Sequence, residues 1–323
     1  MKRYWAPPAI GLVLAASIIC YVRALEDQEG VKRDYEHTIE HDGRTRYYGI
    51  HLPPGYDGRQ ALPVVVNLHG GGASESAARR QSLMDGVADR HGFIVVYPEG
   101  TGRLKHRFLT WNAGTCCAYA VDNKIDDVGF IRKLLDELPR HYAIDTTRIY
   151  ATGMSNGAML CYRLACELPG RFAAIAPVSG SLGVDGPAPT QPIPIIHFHG
   201  RLDPNVPFAG GVGPNARVRV SHRSVEDSTT FFRAVNRCDK HPPEIEEHPD
   251  VIIHRYLPAA DAALPGAPIV IYELREGGHT WPGGVDLTPT LGTGKLIDSV
   301  DASTIMWEFF RQFTTQPPAA AAK

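Results

Sequence analysis

A Gly-x-Ser-x-Gly run at residues 153–157 contains the residue best suited to chemistry in this sequence, Ser155. An apolar stretch at residues 149–152 precedes the run, and a helical pattern begins at Asn156. When a strand turns this sharply into a helix, glycines flank the turn and the serine hydroxyl is presented above the sheet edge. Chance occurrence of so short a motif is the alternative, but its position between a strand and a helix favours Ser155 as a nucleophile.

A serine hydroxyl is a weak nucleophile and needs a base, which an acid orients in turn. When the serine lies between a strand and a helix in this way, the chain order is serine, acid, histidine. Asp203 follows an apolar stretch at residues 193–198, so it falls in a loop just after a buried strand. Asp185 is the alternative, but no strand pattern leads into it. The sequence therefore predicts Asp203 as the acid. The alternative is that this aspartate only forms a turn before Pro204.

His279 is the histidine whose setting fits a general base. It follows an apolar stretch at residues 269–274 and lies in a glycine-rich run at residues 276–284. Chain order excludes the histidines that precede the acid, among them His69, His197 and His199. Several later histidines lack a strand that leads into a glycine-rich loop: His222, His241, His248 and His254.

A His-Gly-Gly-Gly run at residues 69–72 is the candidate oxyanion loop. Glycine lets the backbone approach a substrate closely, and such a run supplies one N–H donor while the residue after the nucleophile supplies the other. Gly71 and Asn156 are the predicted donors, and Gly70 is equally suited. A flexible turn is the alternative for the run taken alone.

Trp281 and Trp111 are the aromatic candidates for a substrate-binding wall. Trp281 lies two residues beyond the predicted base, in the same glycine-rich loop. Packing in the core is the alternative for both side chains, since large aromatic residues dominate protein cores.

Apolar and helical patterns alternate along the chain and predict an α/β fold. The predicted strands cover residues 47–52, 64–69, 93–97, 149–152, 173–178, 193–198 and 269–274, and the predicted helices cover residues 76–90, 126–141, 156–168, 225–237 and 299–313. Strands that are apolar on both faces fit a mostly parallel sheet with helices on each side. The sequence therefore predicts one doubly wound catalytic domain over residues 31–315, with the α/β-hydrolase fold and its site at the carboxyl ends of the strands.

The N-terminus has the three parts of a secretory signal. Two basic residues precede an uncharged apolar run, and small residues end it near position 24. We therefore expect residues 1–24 to be a signal peptide and the protein to be secreted or periplasmic. An uncleaved membrane anchor is the alternative, and a lipoprotein signal through Cys20 fits less well. The low-complexity tail at residues 316–323 is predicted to be disordered.

Charge and motifs exclude several classes of function. The formal net charge is −2, and no basic tract points to nucleic acid. The cysteines lack zinc-site spacing, and no phosphate loop occurs, so no metal or cofactor is expected. The expected partner is an ester substrate, small or oligomeric, and no stable association with a membrane is expected once the signal is removed. The oligomeric state is not predicted.

Five cysteines follow the signal, and an exported protein can keep disulfides. Two pairs are close in sequence, Cys116 with Cys117 and Cys161 with Cys166. Neither pair is expected to bond internally, because the first is adjacent and the second lies on different faces of a predicted helix. Any disulfide is therefore expected between these groups or to Cys238, and buried free thiols are the alternative.

Six ordered motifs resemble the family of secreted feruloyl esterases and polyhydroxybutyrate depolymerases. They are L-H-G-G-G at 68–72, Y-P-E-G at 97–100, W-N-A-G-T-C-C at 111–117, D-D-V-G-F-I at 126–131, G-M-S-N-G-A-M at 153–159 and G-G-H-T-W-P-G-G at 277–284. The resemblance covers roughly residues 35–315. It implies a serine esterase whose triad falls on Ser155, Asp203 and His279, acting on plant phenolic esters, acetylated sugars or short hydroxyalkanoate esters.

We therefore predict a secreted serine esterase that acts through an acyl-enzyme on soluble esters, as feruloyl and acetyl esterases do. A polyhydroxybutyrate depolymerase is the alternative. Multidomain depolymerases carry a separate polymer-binding domain, and no part of this sequence is expected to form one. A peptidase on the same fold and a non-catalytic exported binding module are the other hypotheses.

Overall fold

The computed structural model describes residues 33–186, 189–238, 241–259 and 265–315. The strands are β1 Asp34–His41, β2 Arg44–His51, β3 Leu62–Leu68, β4 Ile94–Pro98, β5 Ile144–Met154, β6 Ala174–Val178, β7 Ile195–Gly200, β8 Glu244–Glu247, β9 Val251–Tyr256 and β10 Ile269–Leu274. The helices are α1 Glu75–Ser82, α2 Met84–His91, α3 Ala118–Asp122, α4 Asp127–His141, α5 Asn156–Glu167, α6 Val225–Asn236 and α7 Ala302–Phe310.

All ten of these strands join one mixed sheet, in the order β1-β2-β4-β3-β5-β6-β7-β10-β9-β8. The central six, from β4 to β10, pair in parallel, while β1, β2, β8 and β9 pair antiparallel at the two edges. The central strands are almost wholly buried because helices cover both of their faces. This arrangement confirms the predicted α/β fold with a doubly wound, mostly parallel sheet.

Two apolar clusters lie on opposite faces of the sheet. One contains the inner faces of α4, α5 and α6, represented by Phe130, Leu160 and Phe232. The other contains those of α1, α2 and α7, represented by Met84 and Met306. The core is thus divided by the sheet, and each strand contributes alternate side chains to the two clusters.

The sequence patterns do not predict the edge strands β1, β8 and β9. Strand β8 is exposed along its whole length, and β1 has only one buried residue, Ile39. These two strands bury too little surface to carry a continuous apolar signal. Strand β9 buries Val251, Ile253 and Tyr256, but its apolar run stops after three residues.

The helix predicted at residues 76–90 is two helices, because the chain turns at Leu83. Leu83 adopts a left-handed conformation with φ 54° and ends α1. The preceding Ser82 is held by neighbours: its hydroxyl accepts hydrogen bonds from Asn67 and from the Met84 N–H, and its carbonyl accepts one from Ser303. These contacts replace the bonds that would continue the helix.

The adjacent cysteines Cys116 and Cys117 lie on either side of a cis peptide bond, with their Sγ atoms in contact. Which cysteines form disulfides stays a prediction. Cys161 and Cys166 are buried free thiols, and Cys238 is buried as well. Burial raises the pKa of Cys166 to about 12, which keeps that thiol protonated.

Several predictions fall on segments outside the described residues: the signal peptide at 1–24, Cys20 within it, and the tail at 316–323. Over the ranges that the structure does describe, none of the helices has the length and apolarity needed to cross a bilayer.

Candidate active site

Ser155 lies on a strained turn between β5 and α5. Its backbone has φ 55° and ψ −118°, a conformation that side-chain-bearing residues rarely adopt. Its N–H donates to the Val178 carbonyl at 2.8 Å, and its own carbonyl accepts from the Met159 N–H at 3.0 Å. Ser155 is partly exposed, although the residues on both sides of it are buried. The turn therefore holds one hydroxyl at the surface of an otherwise closed structure.

The two glycines of the motif are needed because β3 passes against the turn. A Cβ atom at Gly153 would lie 2.7 Å from the Leu68 carbonyl oxygen. One at Gly157 would overlap that same oxygen and lie 2.7 Å from the His69 carbonyl oxygen. Any side chain at either position would push the backbone at Leu68 and His69 away from the turn at Ser155.

The predicted acid and base are hydrogen-bonded to each other. Strands β7 and β10 pair in parallel with Gly200 opposite Leu274, so the loops after them leave the sheet side by side. His279 Nδ1 lies 2.7 Å from Asp203 Oδ2. The side chain of Asp203 is fully buried, whereas 9% of the His279 side chain is exposed. Within this pair the carboxylate is shielded from solvent, whereas the imidazole ring is accessible to it.

Asp203 is held as a carboxylate. Burial alone would raise its pKa, but the facing His279 and the hydrogen bonds from His199 and His279 outweigh burial and keep the pKa well below its ordinary value. The other carboxylate oxygen, Oδ1, accepts the N–H groups of Asn205 and Val206, each at 2.8 Å. With both oxygens engaged, the carboxylate has a fixed orientation toward His279.

Ser155 comes to the same sheet edge through the strand register. Met154 pairs with Val178, and Val178 pairs with Phe198, so the ends of β5, β6 and β7 are level. Within the described ranges the Ser155 hydroxyl makes no hydrogen bond to His279 in this conformation. Bonds between nucleophile and base are often long in resting sites and tighten when substrate binds.

The predicted oxyanion loop lies against the elbow. A Cβ atom at Gly70 would lie 3.6 Å from Ser155 Cβ, and one at Gly71 would lie 3.5 Å from Asn156 Cβ. The loop and the start of α5 therefore converge on the space in front of Ser155. This is the geometry that two main-chain donors require if they are to meet at one oxygen.

His69 fixes the first peptide of this loop. Its Nδ1 lies 2.8 Å from the Gly70 carbonyl oxygen, and its Nε2 accepts the Gly100 N–H at 2.9 Å. The proton must therefore be on Nδ1, which donates to Gly70. In a trans peptide the N–H points opposite to the carbonyl, so tying the Gly70 oxygen back turns the Gly71 N–H away from His69. Burial lowers the pKa of His69 to about 4, so the ring stays neutral.

Asn156 supports the same loop through its side chain, a role that the motif alone does not reveal. Its Oδ1 accepts the Trp111 N–H at 2.7 Å, and its Nδ2 donates to the Trp111 carbonyl at 3.1 Å. The Trp111 indole then donates to the His69 carbonyl at 2.9 Å. The only sequence signals for this bridge are a His before the glycines and an Asn after the serine.

The structure places both predicted wall residues in the core instead. Trp111 is fully buried, and Trp281 is 2% exposed with its indole N–H donated to Ser303 at 3.0 Å. Of the two alternatives, core packing is the one that this conformation has, and neither ring presents a face to a substrate.

Two features away from the sheet edge contain none of these residues. Asp34, His51 and Asp85 present ligand atoms close enough for a metal ion, but Arg79 already bonds to both carboxylates. A cavity of about 640 Å³ lies beside β1 and β2, lined in part by Tyr47. Neither contributes to the site at Ser155.

Comparison with known proteins adds to this geometry. The family described as "Esterase PHB depolymerase" matches residues 46–208. A putative esterase, NocK, from Nocardia uniformis subsp. tsuyamanensis is 31% identical over 269 residues, which cover 75% of this chain and 72% of that protein. Feruloyl esterase B from Piromyces equi is 29% identical over 203 residues, which cover 60% of this chain but only 36% of that protein.

Solved structures agree on the fold. An acetyl xylan esterase from Aspergillus awamori superimposes with a TM-score of 0.54 at 16% identity, covering 76% of this chain and 94% of that one. A thermostable esterase superimposes with a TM-score of 0.52 at 16% identity, covering 87% of this chain and 63% of that one. At this identity the likeness concerns the course of the chain, not the substrate.

Proposed function

Because the chain belongs to the esterase PHB depolymerase family, it is a carboxylic ester hydrolase, and we propose that it cleaves esters through an acyl-enzyme on Ser155. The observation that carries the proposal is the 2.7 Å hydrogen bond between Asp203 and His279 at the sheet edge where Ser155 is presented. An acid, a base and a nucleophile on three loops at one edge are the parts that this chemistry needs.

Each residue has one role in the proposed reaction. Ser155 Oγ attacks the ester carbonyl while His279 Nε2 takes its proton and then gives it to the leaving alcohol. Asp203 keeps the His279 proton on Nδ1 and stabilises the imidazolium that forms. Main-chain N–H groups at Gly70 or Gly71 and at Asn156 bind the negatively charged oxygen. Water, activated by His279, then releases the acid and restores Ser155.

We propose soluble plant-derived esters as the substrate class, either feruloyl or acetyl. The names of the relatives support this class: a feruloyl esterase shares the sequence, and an acetyl xylan esterase shares the fold. Export, through a signal peptide at residues 1–24, is part of the same proposal, because such substrates lie outside the cell. Hydroxyalkanoate oligomers are the second candidate, since the matching family is described by polyhydroxybutyrate depolymerase.

A hydrolysis panel and a covalent probe test the proposal together. The panel compares p-nitrophenyl acetate, p-nitrophenyl butyrate, methyl ferulate, acetylated xylan and hydroxybutyrate oligomers. We expect a fluorophosphonate probe to label the protein and to fail on Ser155→Ala, while the control Ser76→Ala, at an exposed serine of α1, is labelled normally. Labelling of Ser155→Ala at the normal rate would refute the nucleophile, and a preference for hydroxybutyrate oligomers would replace the substrate class.

A further inference from the structure

A buried row of hydrogen-bonding side chains leads from Tyr162 to His199, next to Asp203. The Tyr162 hydroxyl lies 2.9 Å from His197 Nδ1, and His197 Nε2 lies 3.0 Å from His199 Nδ1. His199 Nε2 lies 2.8 Å from the Val206 carbonyl oxygen and 3.4 Å from Asp203 Oδ2. The side chains of His199 and Asp203 are completely buried, and so are Tyr162 and His197.

The sequence makes this row through strand periodicity. His197 and His199 are two residues apart on β7, so both side chains point to the same face of the sheet. Helix α5, which begins at the elbow, covers that face and brings Tyr162 over His197. Chain order excludes both histidines as the general base, so the sequence motifs assign them no role.

The acceptor at one end fixes every proton in the row. A carbonyl oxygen can only accept, so His199 Nε2 must carry a proton. In a neutral His199 the Nδ1 atom is then an acceptor, so His197 Nε2 must donate to it. His197 Nδ1 is in turn an acceptor and receives the Tyr162 proton. All three bonds therefore point the same way, from Tyr162 through His197 and His199 to the Val206 carbonyl.

The His199 N–H that donates to the Val206 carbonyl also faces, at 3.4 Å, the carboxylate oxygen that bonds to His279. Asp203 Oδ2 accepts from His279 and also faces the His199 N–H, while Oδ1 is bound by main-chain N–H groups. Rotation of the carboxylate away from His279 would separate Oδ2 from both imidazoles. The attraction between the His199 N–H and Oδ2 therefore opposes that rotation.

We propose that His199 is a positioning residue, held in one tautomer by the Val206 carbonyl and supported by the hydrogen bonds of His197 and Tyr162, which keeps Asp203 turned toward His279. This inference rests on the catalytic roles proposed above and adds a fourth side chain to them. The other titratable group close to this cluster is His222, whose pKa is lowered by burial and also by the charges of His279 and His199, against the raising effect of Asp203. His222 approaches from the loop before α6 and lies 3.4 Å from the Ser181 hydroxyl.

The test compares two replacements of His199. His199→Leu removes the N–H that faces Asp203, and we expect kcat on p-nitrophenyl acetate to fall about tenfold to a hundredfold with KM unchanged. His199→Gln can place an amide N–H where Nε2 lies, and we expect it to recover most of the lost kcat. The low-field proton resonance of the His279–Asp203 hydrogen bond is expected to shift in the Leu variant and to return in the Gln variant.

A second, milder substitution keeps the inference testable if His199→Leu does not fold. Tyr162→Phe removes only the hydroxyl that donates to His197 Nδ1 and leaves that acceptor unpaired, and we expect kcat to fall about threefold to tenfold with a normal melting temperature. The matched control is Tyr150→Phe, which removes a tyrosine hydroxyl bonded to the Phe313 carbonyl on the other face of the sheet, and it should leave kcat unchanged.

The outcomes separate this inference from the proposed function. If the wild-type protein reacts with the fluorophosphonate at Ser155 but folded His199→Leu and Tyr162→Phe variants keep full kcat, the positioning role is wrong and the esterase mechanism stands. If Ser155→Ala is still labelled, the mechanism itself fails. Equal losses in Tyr162→Phe and Tyr150→Phe would show that the effect is general destabilisation, and would also overturn the positioning role.

Discussion

Two buried carboxylates in this molecule each pair with a basic side chain across 2.7 Å, yet only one pair suits catalysis. Asp203 faces His279 at the sheet edge, and Asp127, at the start of α4, faces Arg46 of β2. In the second pair both side chains are buried, with at most 2% exposed. Asp127 also accepts the Asn112 N–H, and Arg46 also donates to the Glu99 carbonyl.

The two pairs differ in the basic side chain that faces the carboxylate. A guanidinium keeps its proton at any pH a protein survives, so the Arg46–Asp127 pair can only hold β2, α4 and the segment at Asn112 together. An imidazole can accept and release a proton near neutrality, and the ring of His279 is the more exposed member of its pair. A contact of the same length therefore holds structural elements together in one place and, in the proposed mechanism, orients the base that transfers a proton in the other.

Replacing Asp203, the proposed catalytic acid, is expected to have the largest effect. In Asp203→Asn the side chain no longer stabilises the imidazolium and favours the wrong tautomer of His279, so we expect kcat to fall about 10⁴-fold. Steady-state hydrolysis of p-nitrophenyl acetate measures the loss, with a thermal melt as the check on folding. A loss below tenfold would remove Asp203 from the mechanism.

The matching change in the other pair should damage stability instead. Asp127→Asn leaves Arg46 as a buried charge without its anion, and breaking such a pair costs about 3–5 kcal/mol of unfolding free energy. Urea unfolding measures this cost, and kcat of the folded fraction should stay within about tenfold of the wild type. A variant of normal stability with a 10⁴-fold lower kcat would erase the distinction between the two pairs.

Acid should weaken the fold through a group in neither pair. Burial lowers the pKa of His69 from 6.5 to about 4, so the unfolded chain binds a proton at a pH where the folded one does not. Stability is therefore lost as pH falls from about 6.5 toward 4, and His69 alone accounts for about 2 kcal/mol between pH 7.5 and pH 5. His197, whose pKa burial holds well below its ordinary value, acts in the same direction.

Urea unfolding at the two pH values measures the effect of His69. We expect His69→Gln to show a smaller pH dependence than the wild type, and His248→Gln, at an exposed histidine, to show the same dependence. An unchanged slope in His69→Gln would mean that the ring is protonated in the folded state.

Strong local patterns predicted the parts of this molecule that matter most to its chemistry. The six parallel strands at the centre of the sheet are buried on both faces, so each leaves a continuous apolar run, and the loops after β5, β7 and β10 could be placed at one edge before any coordinates. Ser155, Asp203 and His279 were predicted from their positions in these three loops and from their order along the chain. The family resemblance is confirmed by the match over residues 46–208.

The features that the sequence did not predict depend on contacts between distant segments. The break at Leu83 comes from neighbours of Ser82, including Ser303, which lies 221 residues away. The burial of Trp111 depends on its position between Asn156 and His69, which no local pattern encodes. The direction of the row from Tyr162 to His199 depends on one carbonyl, that of Val206.

The conformation of Ser155 also bears on how this protein can change over time. A residue with a side chain is held there at φ 55°, in a region that costs of order 1–3 kcal/mol for anything except glycine. Selection for thermal robustness alone would therefore favour glycine at this position, because any side chain carries the same strain. A serine kept on such a turn is what the proposed role as nucleophile predicts.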